Sequence, residues 1–386
     1  MDPSHPSRFD RTVQAVLLVV LFGLLAMPFL GLALGVEERG LGEKRELAPF
    51  PALNLKHYSG TGLIRQMQAY LDDHFGFRGL LVRWNARFIT RHLAVSPSPK
   101  VVLGKEGWLY YADEHAMDDY RCLQPFTEAE LQGWTAVLER RQQWLQRRGA
   151  HYLFFVAPNQ QTIYPEHLPS TITRVGQVSR LDQLLAYLAQ HSAVRAVDLR
   201  PALLADKARE RVYHRTDTHW NDRGAFVAYQ EVCRTVGDWF PGLRPVPRTR
   251  FRDTSALGPG GDLAAMLGMA EVYTEKRLGL APMDPARAST QFWPESRLEA
   301  LPQRPVQVQE TTVPDPSLPR LVMFHDSFGY AMIPFLAEHF SKALFWSSAM
   351  AFEPTALDEV RPQLVLQEIT ERTLWTNYPA IMAGRP

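Results

Sequence analysis

From Val13 to Val36 the chain reads VQAVLLVVLFGLLAMPFLGLALGV, 24 positions without a charged side chain. As a helix this stretch reaches roughly 36 Å, enough to cross a hydrocarbon core of about 30 Å. Pro28 is compatible with a membrane helix. The pattern predicts a transmembrane signal anchor over 13–36 behind a cytoplasmic tail over 1–12, whose Arg8 and Arg11 keep the amino end inside. A cleavable signal peptide is the alternative. Ala33-Leu34-Gly35 supplies a small-x-small pattern, although the apolar region of such a peptide usually spans only about 7–15 residues. Either way, everything after Glu37 is expected outside the inner membrane. Residues 37–60 read as a membrane-proximal linker and 61–386 as a periplasmic domain.

Within that domain the pattern alternates between helical and strand periods. GLIRQMQAYLDDHFGFRGLLVRWNARFI carries apolar residues at helical spacing, broken near Gly76. VVLGKEGWLYY predicts two short strands around a glycine turn. Thr127 and Glu130 form a capping box, with Phe126 placed to staple onto Leu131, and the helix runs to about Arg148 before Gly149 closes it. HYLFFVAP is a continuous apolar run, the pattern of a strand buried on both faces. A helix from Arg180 to about Gln190, a strand VRAVDL and a short helix from Pro201 follow. A polar loop around Asp217 and His219 then leads into a helix from about Asp222 to Trp239.

Residues 240–318 are rich in Pro, Gly and Arg and weak in periodicity, and read as an irregular insertion with short strands over one end of the sheet. The alternation resumes with a strand in RLVMFHDS, a helix across YAMIPFLAEHF, and strands KALFW and QLVLQE. Strands alternating with helices predict an α/β fold, a mostly parallel sheet covered on both faces. In such sheets reactive groups gather at the carboxyl ends of strands.

Composition narrows the function. A formal net charge of +1 across 386 residues, with no basic stripe, gives no electrostatic case for nucleic acid. Cys122 and Cys233 are the two cysteines. Outside the membrane they can pair, or both can stay free. Two cysteines alone cannot build a four-ligand structural zinc site.

Two features fall on the predicted rim. The strand Leu321–Phe324 delivers Ser327 into a turn before a helix, where backbone N–H groups can receive an oxyanion. The loop RTDTHWNDRG also precedes a helix, and Asp217 and His219, two apart, can point to one side. Asp217 can then orient the imidazole, and His219 can take the proton of Ser327. Each has a plainer alternative: a loop hydrogen-bond pair for Asp217 and His219, an N-cap for Ser327. A third reading makes His214, Asp217 and His219 metal ligands, but no HExxH or further clustered set supports it, and no metal is expected. His325, Asp326 and Ser327 cannot form a contiguous triad, because neighbours in an extended chain point apart.

With these residues placed, the chain resembles the alginate O-acetyltransferase family of AlgJ/AlgX type, with its SGNH-hydrolase-like three-layer domain. The likeness rests on EKRELAPFP (43–51), YLDDHFGFR (70–78), VVLGKEGWLYY (101–111), APNQQTIYPEHLP (157–169), TDTHWNDRGA (216–225), GGDLAAMLG (260–268), FHDSF (324–328) and QEITERTL (367–374). The resemblance implies an enzyme that acetylates hydroxyls of an exopolysaccharide without a cofactor. Its nucleophile, base and orienting acid map onto Ser327, His219 and Asp217. It also implies a membrane-bound O-acyltransferase as acetyl supplier and other exopolysaccharide-assembly proteins as partners. Trp220 and Tyr213 are candidates to stack on sugar rings, as is Trp108, for which core packing is the alternative; Asn159 is a further substrate-binding candidate. His325 stands where SGNH enzymes usually carry glycine, and Gln160 where lysine is expected after Pro-Asn. Because the chain stops soon after QEITERTL, no appended carbohydrate-binding module is expected. A carbohydrate acetyl esterase with the same triad and a non-catalytic polysaccharide-binding scaffold are the rival readings.

Overall fold

The computed structural model describes residues 8–33, 48–51, 60–74, 76–301, 304–348 and 352–376. The chain divides into two compact units, residues 1–98 with 265–269, and residues 99–264 with 270–386. The first contains helices Arg8–Ala33, Gly60–His74 and Arg78–Phe88. The break near Gly76 is present, and Phe77 adopts a left-handed conformation there (φ 63°). The expected span 13–36 runs past the last described residue of the first helix. Among the described residues no helix is long and apolar enough to cross a membrane. The expected linker lies mostly outside the described residues.

The second unit carries the sheet. Strands β1 (Val101–Leu103) and β2 (Leu109–Tyr111) pair as an antiparallel hairpin around the glycine turn. Helix Glu128–Gln146 follows, its capping box formed as Thr127 and Glu130 predict. Strand β3 (His151–Ala157) is buried from Tyr152 onward. Helix Arg180–His191 has a second capping box, from Ser179 and Asp182. Strand β4 (Arg195–Asp198), helix Arg200–Lys207 and helix Asp222–Val236 complete this half.

Strands β5 (Phe251–Pro259) and β6 (Thr274–Pro282) form a two-stranded antiparallel ribbon. After them come β7 (Ser289–Phe292), β8 (Val308–Thr312), β9 (Arg320–His325), β10 (Lys342–Ser347) and β11 (Leu364–Thr370). The central sheet has seven strands in the order β4-β3-β11-β9-β10-β8-β7. It is mixed: β4 to β10 run parallel, whereas β8 and β7 add antiparallel at one edge.

This edge corrects the expectation for residues 240–318. Rather than only lying over the sheet, the segment extends it. Ser-Thr-Gln-Phe of β7 is exposed throughout, and β8 is VQETT. Strands with so few apolar positions, β7 at the edge and β8 beside it, read as loop. The expected helix across YAMIPFLAEHF is instead a series of short turns, with one α-helical turn at Ile333–Leu336 beginning at a proline position. Pro334 lacks the N–H needed to continue a helix from before it.

Side-chain alternation along the strands fills two cores. Leu153, Phe155, Met323 and Phe345 join one, with Tyr213, Trp220 and Phe226 from the covering elements. Tyr152, Phe154, Val322, Phe324 and Trp346 join the other, with Trp134 and Leu138 from helix Glu128–Gln146. Both sheet faces are therefore dry. Cys122 and Cys233 are free, so the alternative of a disulfide is not realised.

Candidate functional site

Parallel strands bring their carboxyl ends to one rim, so Ala157 of β3, His325 of β9 and Thr370 of β11 each release a turn there. Ser327 lies in the turn after β9. Asp326 shapes that turn: its Oδ1 accepts the Phe328 N–H at 2.9 Å, and its Oδ2 accepts the Thr370 N–H at 2.7 Å and the Thr370 hydroxyl. The Asp326 N–H donates to Glu368 Oε2 at 3.0 Å. The Ser327 N–H has no acceptor among the described residues. His325 sits beneath the turn, fully buried, its Nδ1–H donating to the Asp326 carbonyl at 2.7 Å. Burial lowers its pKa and keeps it neutral. Gly329 accommodates this ring, because a Cβ there would lie 2.5 Å from His325 Cβ.

The second loop leads into helix Asp222–Val236, whose N-cap Asn221 accepts the N–H groups of Arg223 and Gly224. Residues 213 and 220 pair as an isolated antiparallel bridge, which closes the loop between them. The Leu109 N–H donates to Arg215 O at 2.8 Å, and Gln160 Nε2 donates to His214 O at 2.6 Å. Gln160, at the position where lysine was expected, is thus a strut for this loop. Glu275 of β6, 1 % exposed, accepts the N–H groups of Arg215 and Thr216 at 2.7 and 3.1 Å.

The two loops meet. His219 Nε2 stands 2.7 Å from Ser327 Oγ, and His219 Nδ1 stands 2.6 Å from Asp217 Oδ1. The Asp217 and His219 side chains are 23 % and 28 % exposed, open enough for a reactant yet partly shielded. Burial pushes the Asp217 carboxyl up, but the hydrogen bond and charge of His219, with the N–H groups of Asp262 and His219, outweigh it and hold it far below the usual carboxylate range. For His219 burial works downward, while the hydrogen bond and charge of Asp217, aided by Asp262, raise its pKa above the ordinary value. In this geometry a neutral imidazole could accept the serine proton on Nε2 while Nδ1–H stays on Asp217.

The aromatic candidates are elsewhere. Trp220 and Tyr213 are 1 % and 0 % exposed and belong to the core. Trp220 Nε1–H donates to Phe328 O, and the Tyr213 hydroxyl donates to Pro158 O. The expectation that they stack on sugar is corrected: large rings beside a polar loop were needed to bury its base. Trp108 is likewise buried, stacked on Tyr164 with centroids 4.4 Å apart. Asn159, 3 % exposed, lies on the rim after β3, its Nδ2 buried without a hydrogen-bond partner.

Among the described residues, Asp217, His219 and Asp262 bring possible metal-ligand atoms within 4.8 Å of one another. The direct 2.6 Å bond between Nδ1 and Oδ1 is a hydrogen bond, too short to bracket an ion with ligand bonds near 2.0–2.2 Å. His214 turns instead toward Glu275, at 3.8 Å. The sequence reading missed Asp262, Thr218 and Arg372 as neighbours of the site. Thr218 Oγ1 lies 3.1 Å from His219 Nδ1, and the Arg372 guanidinium lies 5.9 Å from the Phe328 ring and bonds Glu114 at 2.9 Å. The signal for Asp262 was the Gly-Gly preceding it.

Comparison with known proteins gives a consistent picture. Residues 101–305 match the model of the family described as SGNH hydrolase-like domain, acetyltransferase AlgX. Ser327 lies beyond that match. The chain is 27 % identical to a probable alginate O-acetylase AlgJ of Pseudomonas aeruginosa, over 80 % of this chain and 68 % of that protein. It is 28 % identical to the protein of the same name from Pseudomonas fluorescens, over 54 % of this chain and 51 % of the relative. The chain thus spans about half the length of the latter relative. Its fold is similar to that of PatB1 from Bacillus cereus, with a TM-score of 0.51 at 14 % identity, covering 72 % of this chain and 98 % of that one.

Proposed function

This chain belongs to the family of SGNH hydrolase-like domains described as acetyltransferase AlgX, and from that premise we propose that it is an O-acetyltransferase moving acetyl groups onto hydroxyls of an exopolysaccharide, alginate or another. The observation that supports this best is the continuous line Asp217–His219–Ser327, with contacts of 2.6 and 2.7 Å. The names of the relatives, probable alginate O-acetylases, support the substrate class.

In the first half-reaction Ser327 Oγ attacks the acetyl carbonyl of a donor as its proton passes to His219 Nε2. The carbonyl electron pair moves onto oxygen, where the unpaired Ser327 N–H is available to hold it, and the Asn159 amide offers a second unused donor on this rim. Collapse expels the leaving group, which takes the proton from His219 and leaves acetyl-Ser327. A sugar hydroxyl then gives its proton to His219 and attacks the acetyl carbon. The second collapse restores Ser327 Oγ, which regains that proton, and releases the acetylated sugar. Asp217 keeps Nδ1–H in place and stabilises the imidazolium between steps.

Acetyl-CoA is not expected outside the inner membrane. The donor is therefore proposed to be a membrane-bound O-acyltransferase, reached by a catalytic domain in the periplasm and tethered by the apolar segment 13–36. Other exopolysaccharide-assembly proteins would deliver the polymer. The test is to incubate the protein with an activated acetyl ester, with and without uronate and neutral oligosaccharides. Acetylated sugar, absent with Ser327→Ala, is the expected result. Free acetate unaffected by sugar makes the protein an esterase, and no acylation of Ser327 makes it a scaffold.

A further inference from the structure

The motif Gly260-Gly261-Asp262 lies beyond the end of β5, where the chain leaves the ribbon and reaches the histidine loop. Gly261 passes so close to Asp217 that a Cβ would stand 2.4 Å from Asp217 Cβ and 2.5 Å from Oδ2. Its N–H donates to Thr216 Oγ1 at 2.9 Å. This approach puts the Asp262 N–H on Asp217 Oδ2, at 3.1 Å. It also turns the Asp262 carboxylate toward Thr218: Oδ1 accepts the Thr218 N–H at 2.8 Å and Oδ2 accepts the Thr218 hydroxyl at 2.7 Å. That hydroxyl oxygen is the one 3.1 Å from His219 Nδ1, and Asp262 Oδ2 itself lies 3.8 Å from the same nitrogen.

We propose that Asp262, acting through the Thr218 hydroxyl, is a second positioning acid for His219. With its proton committed to Asp262, Thr218 Oγ1 presents a lone pair to Nδ1–H, which Asp217 and Thr218 then share. The imidazole Nδ1–H thus meets two acceptors of its own loop, Asp217 Oδ1 and Thr218 Oγ1, and the second of these is fixed from the β5–β6 connection by Asp262. The inference rests on the proposed acyl-transfer site. The charged groups acting on His219 are Asp217 from its own loop, Asp262 from the β5–β6 connection, and Arg372 from the turn after β11, which alone opposes protonation. Asp262 is in turn acted on by Asp217 and His219; burial and then the Asp217 charge raise its pKa, so of the two acids Asp262 takes a proton first as pH falls.

The experiment is an NMR titration of the His219 ring in the full chain, which needs no turnover. Asp262→Asn is expected to lower the His219 pKa by about one unit, as loss of a negative charge at this range does. Thr218→Val is expected to lower it as well, and Thr218→Ser, which keeps the hydroxyl, to leave it at the wild-type value. The double variant D262N/T218V should shift it no further than the larger single change, because the two residues form one relay. A His219 titration unmoved by Asp262→Asn, or effects of the two changes that add, overturns the proposal. If Asp262→Asn does not fold, the contrast between Thr218→Val and Thr218→Ser decides. Failure of the acyl-transfer reading shows separately, as absence of acetyl on Ser327 in the wild type.

Discussion

Trp220 Nε1 donates to the Phe328 carbonyl at 3.1 Å across 108 residues of chain. One partner follows the base and the other follows the nucleophile, and both are essentially fully buried. With the His219–Ser327 contact and the packing of Trp220 on the Phe328 ring, this bond ties the two loops together. Trp220→Phe keeps most of the ring volume but leaves the carbonyl unpaired in a dry site, at about 1–3 kcal/mol. The expected outcome is a lower urea midpoint and a kcat reduced more than KM is raised. An unchanged midpoint with unchanged kcat would show that the loops are held in register elsewhere.

Gly261→Ala tests the close approach to Asp217. The added carbon meets a side chain fixed by hydrogen bonds rather than a mobile tip, so the backbone or Asp217 must move. Displacing the orienting acid by an ångström is expected to lower kcat roughly a hundredfold while the fold persists. Gly242→Ala is the control, since nothing lies within 4 Å of a Cβ there. Equal activity in the two variants would mean that Asp217 tolerates the shift.

How far the sequence revealed this site depends on the kind of signal each residue leaves. β3 and β9 were legible because a strand dry on both faces must be continuously apolar, and HYLFFVA and LVMF are. Once both are parallel, their ends share a rim, so Ser327 follows. Asp217 and His219 were legible from their spacing before a helix. Trp220 and Tyr213 were misread because a ring beside a polar loop looks the same whether it faces solvent or closes the core beneath. Asp262 carried only the Gly-Gly before it as a signal, because its segment leaves a ribbon outside the main sheet and no local period reports where such a ribbon docks. The antiparallel pair β7 and β8 left no signal for a related reason, since β7 is an exposed edge strand and β8, though paired on both sides, is largely polar in sequence.

Glu275 supports the histidine loop from below, and its removal separates support from chemistry. Besides two backbone N–H groups, it accepts the Thr216 hydroxyl at 2.5 Å and pairs with Arg211 at 3.2 Å. Burial pushes its carboxyl up, but the nearby His214, the hydrogen bonds from Thr216 and Arg215 and the charge of Arg211 bring it down to about 2. A depressed acid contributes stability that is present above its unfolded pKa, about 4.3, and is lost as pH falls through the folded value. Glu275→Ala, which strands Arg211 and the loop N–H groups, is expected to cost about 3 kcal/mol at pH 7. Glu275→Gln should flatten the acid limb of the stability profile between roughly pH 4 and 2. An acid limb identical to the wild type would locate the sensitive carboxylate elsewhere.

The pH dependence of acylation carries the sharpest sign. Burial favours neutral His219, yet Asp217 and then Asp262 outweigh it, while Arg372 opposes them; the net pKa is raised. Because the base must be neutral to accept the Ser327 proton, kcat/KM should rise with pH and level off only above that raised value, not at the ordinary value near 6.5. Stability runs the other way. A raised histidine contributes stability that is fully present below its unfolded pKa and is lost as pH rises through the folded one. Between the two values activity therefore climbs while this contribution declines. Asp217→Asn should move the activity limb to lower pH and drop the plateau by roughly four orders of magnitude, since the tautomer is no longer fixed. Arg372→Gln, which removes the opposing cation, should move the limb to higher pH instead. Rapid-mixing acylation by an activated ester across pH 5–9, with thermal melts at each pH, reads both quantities. Limbs that shift the same way in the two variants would contradict the assignment of His219 as the base governed by these charges.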